Sequence, residues 1–322
     1  MKVVEGEGVG EGETMAPPPG EPPQPVTFRE DVPVESLEVL LSSSSAENQL
    51  LSDQSLATTA NGIKVNRSVV TRVRRMFSTA ELEKMRHNGA LSADIRTVLY
   101  PPYCSVDQIV PGLFLCGFAG TTKERLQSAK ISLLLNVTWE LGLLRVTGLR
   151  SFRVPVDDSP EETIGRYFND VADLLEANRR AGGRSLVHCL AGVSRSATLV
   201  LAYLLKYTTL SLHQAFVHLH SIRPCVRPNI GFFRQLIEWE LRLRGGIAST
   251  QLVTLYRTAK VAKGGADDSS EEPEVVVQVA VQVPDFYAAE YPRLLEAECS
   301  KQVRLYVMQQ QQQQQQLQEQ TE

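Results

Sequence analysis

The chain has 322 residues, 43% hydrophobic and 22% charged, with a formal net charge of -4. That is enough apolar material for one or two domains with real cores, and it gives no general reason to expect nucleic-acid binding. Five cysteines, an odd number without a CxxC pair, argue against a disulfide framework or a zinc ribbon. No apolar run approaches the ~18 residues of a membrane span, and the acidic start MKVVEGEGVGEGE lacks the apolar core of a signal peptide. The expected setting is therefore the cytoplasm or nucleus, where thiols stay reduced.

Residues 1–60 carry eleven acids and two bases among GEGVGEGE, APPPGEPPQP and LSSSS tracts. Such a composition buries too little apolar surface to offset chain entropy, and disorder is expected. Residues 61–99 turn basic, with Lys64, Arg67, Arg72, Arg74 and Arg75, and the Ser78/Glu81 spacing predicts a short capped helix running toward His87. RVRRMF within this stretch could dock an acidic groove on a substrate kinase, although a solvated basic linker is the simpler account.

From residue 100 to 246 the texture is that of a folded domain. Apolar runs LFLC at 113–116, SLLLNVT at 132–138, SFRVPV at 151–156 and SLVHC at 185–189 predict strands. Between the last two, Ile164, Phe168, Val171, Leu174 and Leu175 fall on one helical face that glycines close. Three further helices are predicted from ATLVLAYLLKY, LHQAFVHLHSI and NIGFFRQLIEWELRLR. Strands alternating with helices imply an α/β domain with a largely parallel sheet flanked by helices. Residues 247–322 contain DDSSEEPE, EVVVQVAVQV and eight glutamines from Gln309 to Gln316. They are expected to be a mobile tail, with one helix around Leu294 to Met308.

The chemistry concentrates between SLVHC and ATLVLAYLL. The strand delivers Cys189, and Leu190, Ala191, Gly192, Val193 and Ser194 must turn the chain into a helix beginning near Arg195. Such a turn aims several backbone N–H groups at one point, and the helix dipole adds positive potential. Gly192 permits an unusual φ and close approach of an anion, and the planar fork of Arg195 suits two phosphate oxygens at once. The result is an anion cradle with a thiol at its floor, in a field that favours the thiolate. A thiolate there is set to attack phosphorus and form a phosphocysteine, a reaction that needs neither metal nor cofactor.

HCLAGVSRS at 188–196 resembles the HCxxGxxR[ST] signature of cysteine-dependent protein phosphatases. VPVDDSP, AYLL and RPNIGFFRQL follow the order found in the atypical dual-specificity phosphatases, so the resemblance spans roughly Val106 to Arg244 and leaves both flanks undescribed. It implies that Cys189 is the nucleophile and that Arg195, with the 190–194 amides, holds the phosphate. Chain order leaves Asp157 and Asp158 equivalent. The family pattern assigns the general acid to Asp158 and leaves Asp157 a solvated neighbour. By the same resemblance Ser196 donates to the departing thiolate, His188 orients the loop, and Asn136 and Asn229 hold the cradle, although a helix N-cap accounts for Asn229 locally. The implied substrates are phosphoproteins, with mitogen-activated protein kinases suggested at family level.

Cys104, Cys116, Cys225 and Cys299 show no spacing signal. One could resolve an oxidised Cys189, but inert packing is the plainer expectation. Cysteine in LFLCG and Phe233 in place of a common tryptophan depart from the family pattern at apolar positions only. A phosphoinositide or RNA 5′-triphosphate phosphatase is the alternative within the enzyme class. The absence of lysine from LAGVS weighs against it. A catalytically silent phosphoprotein-binding module is the alternative outside that class, and the intact cysteine, arginine and aspartate weigh against that.

Overall fold

In the computed structural model, which describes residues 26–35, 56–58, 64–66, 103, 105–144, 146–262 and 274–319, SLVHC forms the middle strand of a five-stranded sheet. The strands are β1 (Val106–Val110), β2 (Leu113–Gly117), β3 (Leu133–Asn136), β4 (Arg150–Arg153) and β5 (Ser185–Cys189), in the order β1-β2-β5-β3-β4. Only the β1–β2 pairing is antiparallel. All five residues of β5 are buried, as expected of a central parallel strand covered on both faces. Its register sets Val187 beside Leu115 and Leu135, His188 beside Cys116 and Asn136, and Cys189 beside Gly117.

Strand pleating sorts the side chains onto two faces. Leu113, Leu115, Leu133, Leu135, Val187 and Cys189 join the main core, and Phe114, Cys116, Leu134 and Leu186 form a smaller cluster on the other side with Leu126. Leu126 belongs to α1 (Lys123–Ser128), a short helix capped by Thr122. The large face is covered by α2 (Phe168–Arg180), α3 (Arg195–Tyr207), α4 (Leu212–Ile222) and α5 (Ile230–Leu243). The predicted face of α2 is buried through Phe168, Val171 and Leu175, and Gly182 ends the helix at φ 75°. ATLVLAYLLKY is apolar nearly all round because α3 is buried nearly all round. A Ser211–Gln214 capping box starts α4, and Asn229 caps α5 through the Phe232 N–H. By contrast α3 begins at Ser194 without a side-chain cap, which leaves its first amides for another partner.

At both flanks the structure differs from the sequence expectation. Within residues 247–322, expected as a mobile tail with one helix around Leu294 to Met308, helix α6 (Pro292–Glu319) covers the expected helix, and an antiparallel ribbon of β6 (Leu252–Ala262) and β7 (Glu274–Pro284) was not expected. The reason is packing. Val277, Val279, Val281 and Val283 alternate along β7 and all enter the main core, while Gln278, Ala280 and Gln282 between them are exposed. Phe286 and Tyr287 then stack on Phe216 of α4, with ring centroids 5.2 and 5.6 Å away. Residues 26–35, within the segment expected to be disordered, lie against the ends of α2 and α3. Arg29 N–H donates to the Tyr207 carbonyl at 2.8 Å, and Arg179 sits 4.1 Å above the Phe28 ring. The helix expected after Ser78, the RVRRMF stretch and Cys104 lie outside the described residues. Among the described residues, no helix is long and apolar enough to cross a membrane, and no cluster of His, Cys, Asp and Glu could hold a metal ion.

Candidate active site

β5 ends at Cys189 and α3 begins at Arg195, so the five residues between must reverse the chain over the end of the sheet. Each carbonyl along this turn is hydrogen-bonded on its outer side. Leu190 O accepts from Phe118 N at 3.0 Å and Ala191 O from Arg223 Nη2 at 3.0 Å. Gly192 O accepts from Arg223 Nε at 2.8 Å and Val193 O from Arg227 N at 2.8 Å. Because a trans peptide is planar, a carbonyl turned outward turns the next N–H inward. The inward amides are therefore those of residues 191–194, and one of them, Gly192 N–H, reaches Cys189 Sγ at 3.2 Å. Gly192 holds φ +68°, and a Cβ there would stand 2.5 Å from the Cys116 carbonyl. Only glycine fits.

Cys189 Sγ also accepts from Ser196 Oγ at 3.1 Å. Arg195 is buried, and its Nη1 donates to Glu140 Oε2 at 2.6 Å and to Val156 O at 3.1 Å. Its Nε is buried with no protein acceptor. An unpaired buried donor beside an uncapped helix start is what an oxyanion would satisfy. Burial works against the charge on Arg195, but Cys189, Glu140 and Asp158 around it hold its pKa above the ordinary value. His188 is fully buried, and its Nδ1 lies 3.3 Å from the Cys189 carbonyl. Burial, with a smaller push from the Arg195 charge, takes its pKa down to about 4, so the ring is neutral at pH 7.

The two aspartates that the sequence left equivalent are separated by geometry. Asp158 Oδ1 accepts from Ser194 Oγ at 2.6 Å and from Asn229 Nδ2 at 2.9 Å, which ties its loop to the cradle. Asp157 Oδ1 instead accepts from the Asp158 N–H at 2.7 Å, and its own N–H donates to Glu162. Gly231 allows this loop to approach α5, since a Cβ there would meet Pro160 O at 1.8 Å. Asn229 both caps α5 and holds Asp158, so local capping accounts for only half of its bonds. Asn136 donates to Leu141 O at 3.0 Å and accepts from Thr138, which shapes the loop that presents Glu140.

Cys189, Gly192, Ser194, Arg195, Ser196, Asp158 and Asn229 are thus joined in one bonded cluster, with His188 at the Cys189 carbonyl. By contrast, Asp157 bonds within its own loop and Asn136 to the 138–141 loop. Sequence reasoning missed Glu140, Arg223 and Arg227. Each is an isolated charge in a loop or at a helix end, and no local pattern marks it as buried or bridging. Cys116 lies on the opposite face of the sheet from Cys189, and burial pushes its thiol pKa up.

Residues 113–242 match the family model described as dual specificity phosphatase, catalytic domain. The chain is 38% identical over 168 residues to human (Homo sapiens) dual specificity protein phosphatase 14, covering 50% of this chain and 85% of that protein. Against mouse (Mus musculus) dual specificity protein phosphatase 18 the identity is 41% over 146 residues, covering 45% and 78%. The crystal structure of human DUSP28 is similar at 36% identity and a TM-score of 0.43, covering 45% of this chain and 97% of that one. Relatives this similar, matched over most of their own length, show that the chain belongs to the dual-specificity protein phosphatases of the protein tyrosine phosphatase superfamily, hydrolases that act on phosphoproteins.

Proposed function

We propose that the chain hydrolyses phosphotyrosine and phosphoserine/phosphothreonine monoesters through a phosphocysteine intermediate formed on Cys189, with residues 100–246 as the catalytic unit. One observation carries this reading: the 190–193 carbonyls are all bound on the outside, so the amides and the unpaired Arg195 Nε converge above a sulfur. In the first step the Cys189 thiolate attacks phosphorus. The P–S bond forms as the ester P–O bond breaks, and Asp158 gives its proton to the leaving oxygen. Arg195 and the inward 191–194 amides offset charge on the equatorial oxygens, where preorganised donors act most strongly. In the second step Asp158 takes a proton from water, the water oxygen attacks phosphorus, and the sulfur leaves as a thiolate. Ser196 Oγ, 3.1 Å from that sulfur, donates to it. Neutral His188 beneath the loop supports the orientation of Cys189 and takes no proton in this scheme.

The same reading makes mitogen-activated protein kinases the first phosphoprotein class to assay, and the cytoplasm or nucleus the expected compartment. The test is phosphate release, without added metal, from three matched peptides bearing phosphotyrosine, phosphothreonine or both. Wild type is expected to act on all three, Cys189→Ser to abolish turnover, and Asp158→Ala to slow it by roughly 10²–10⁴ while Asp157→Ala does not. Cleavage of phosphotyrosine alone would remove the dual range. Silence on every peptide with faster turnover of inositol lipids or RNA 5′-triphosphates would transfer the reading to those esters.

A further inference from the structure

The catalytic-domain match ends at residue 242, yet the chain beyond it reaches back to the cradle. Three residues of the 223–229 loop brace the site from outside. Arg223 binds the Ala191 and Gly192 carbonyls, the Arg227 N–H binds the Val193 carbonyl, and Asn229 binds Asp158. The outer side of this loop is met by α6, where Glu298 Oε1 lies 3.2 Å from Arg227 Nε. Both side chains are largely buried, at 15% and 34% exposure, so solvent screens the pair only in part. Arg227 precedes Pro228, which confines its backbone to extended conformations. The ion pair to Glu298 and the N–H bond to the Val193 carbonyl thus meet on one residue whose backbone is restricted. The aromatic cluster of Phe286, Tyr287 and Tyr291 against Phe216 fixes the start of α6, so Glu298 is presented from an anchored element.

We propose that Glu298 is a positioning residue for the dephosphorylation reaction. Through Arg227 it keeps the Val193 carbonyl outside the cradle and so turns the Ser194 N–H inward, which makes the C-terminal extension part of the working catalytic unit. This inference rests on the phosphatase reading above. No group of the extension touches the phosphate in this arrangement. Its effect is on how accurately the donors point, and a displacement of the order of 1 Å at a catalytic group can cost about 10² in rate.

The experiment uses the full chain as wild type, Glu298→Gln, Glu298→Arg, Arg227→Glu and the double variant Arg227→Glu/Glu298→Arg. It measures kcat and KM on a phosphotyrosine peptide, the inhibition constant of orthovanadate, and the thermal midpoint. Glu298→Arg and Arg227→Glu are expected to lower kcat/KM roughly tenfold or more and to weaken vanadate by a similar factor. Glu298→Gln, the milder change and the safeguard should a charge reversal fail to fold, is expected to cost about threefold, and the double variant to recover to within about threefold of wild type. A lowered midpoint with unchanged kcat/KM and vanadate inhibition would make Glu298 a packing residue and overturn the proposal. So would impaired single variants that the double variant does not rescue. A wild type that neither turns over peptide nor binds vanadate would overturn the phosphatase reading and this inference with it.

Discussion

Glu140 offers the sharpest test of how the site is built, because it lies outside the signature and bonds the signature arginine. Its carboxylate and the Arg195 guanidinium are 0% and 3% exposed and 2.6 Å apart. Removing one partner of such a buried pair leaves the other charge uncompensated, at about 3–5 kcal/mol. Glu140→Gln keeps an oxygen acceptor and should fall near the low end, about 3 kcal/mol, whereas Glu140→Ala also loses the hydrogen bond and should approach about 5. For a domain of this size that is a fall in Tm on the order of 6–20 °C, and Glu140→Gln, at about 3 kcal/mol, leaves folded protein across the usual stability of about 5–15 kcal/mol. Arg195 Nε has no protein acceptor and Nη1 bonds Glu140 and the Val156 carbonyl, so the loss of Glu140 leaves Nη1 held by the Val156 carbonyl. The kcat/KM of the folded variant should then drop at least about tenfold. Urea unfolding monitored by circular dichroism, with steady-state kinetics on the same samples, gives both numbers. A loss below about 1 kcal/mol for Glu140→Ala, with wild-type kcat/KM, would refute the claim that Glu140 aims the arginine.

Three further outcomes are expected. His188 is held neutral with a pKa near 4 in the folded state against an ordinary 6.5. The unfolded chain therefore binds the extra proton first, and stability present above pH 6.5 should be lost as pH falls toward 4, by up to about 3 kcal/mol. His188→Gln should flatten that part of a urea-midpoint profile, and an unchanged slope would contradict it. Gly192→Ala forces an L-residue to φ +68° with its Cβ 2.5 Å from the Cys116 backbone. The conformation alone costs about 1–2 kcal/mol, and the displaced loop should lower kcat/KM by about 10² on phosphopeptide; a loss under tenfold would mean the cradle tolerates the shift. The Tyr287 hydroxyl is buried without a hydrogen-bond partner among the described residues. Tyr287→Phe should therefore be neutral or stabilising by about 1 kcal/mol in thermal unfolding, and a clear loss of stability would reveal a partner for that oxygen.

How much of this was legible in the sequence depends on how local each feature is. The middle strand, its following helix and the thiol between them could be read because periodicity and the HCLAGVSRS run are contiguous. The strands 113–117 and 133–136 and the helices α2 to α5 were legible for the same reason. β1 was not, since VDQIV pairs only with β2 and only its last two residues are buried. Asp157 and Asp158 are chemically identical neighbours, and only Ser194 and Asn229 from other elements tell them apart. The valines of β7 alternate with the right period for a half-buried strand. The surface they cover, however, is assembled from residues of the main core brought together only by folding. Compositional reading of the flanks as disordered failed at residues 26–35 for a like reason, because Phe28 finds Arg179 only in three dimensions.

The distinction between an enzyme and a phosphoprotein-binding module turns on groups that binding does not require. Inward amides and Arg195 would serve either role, since holding a phosphate dianion needs only donors and charge. Asp158 is different: a carboxylate beside an anion site opposes binding by repulsion, whereas the proposed mechanism uses it to exchange a proton. Two side chains nonetheless hold it in place against that repulsion, Ser194 from the cradle and Asn229 from the braced loop. Ser196 is similar, because its hydroxyl is aimed at the sulfur, which a mere binder of phosphate never needs to release as a thiolate. The chain thus holds, with residues from distant positions, two groups that phosphate binding does not need and that the proposed phosphatase mechanism uses. The bracing of Asn229's loop by Glu298 through Arg227 extends the same argument past the end of the catalytic match.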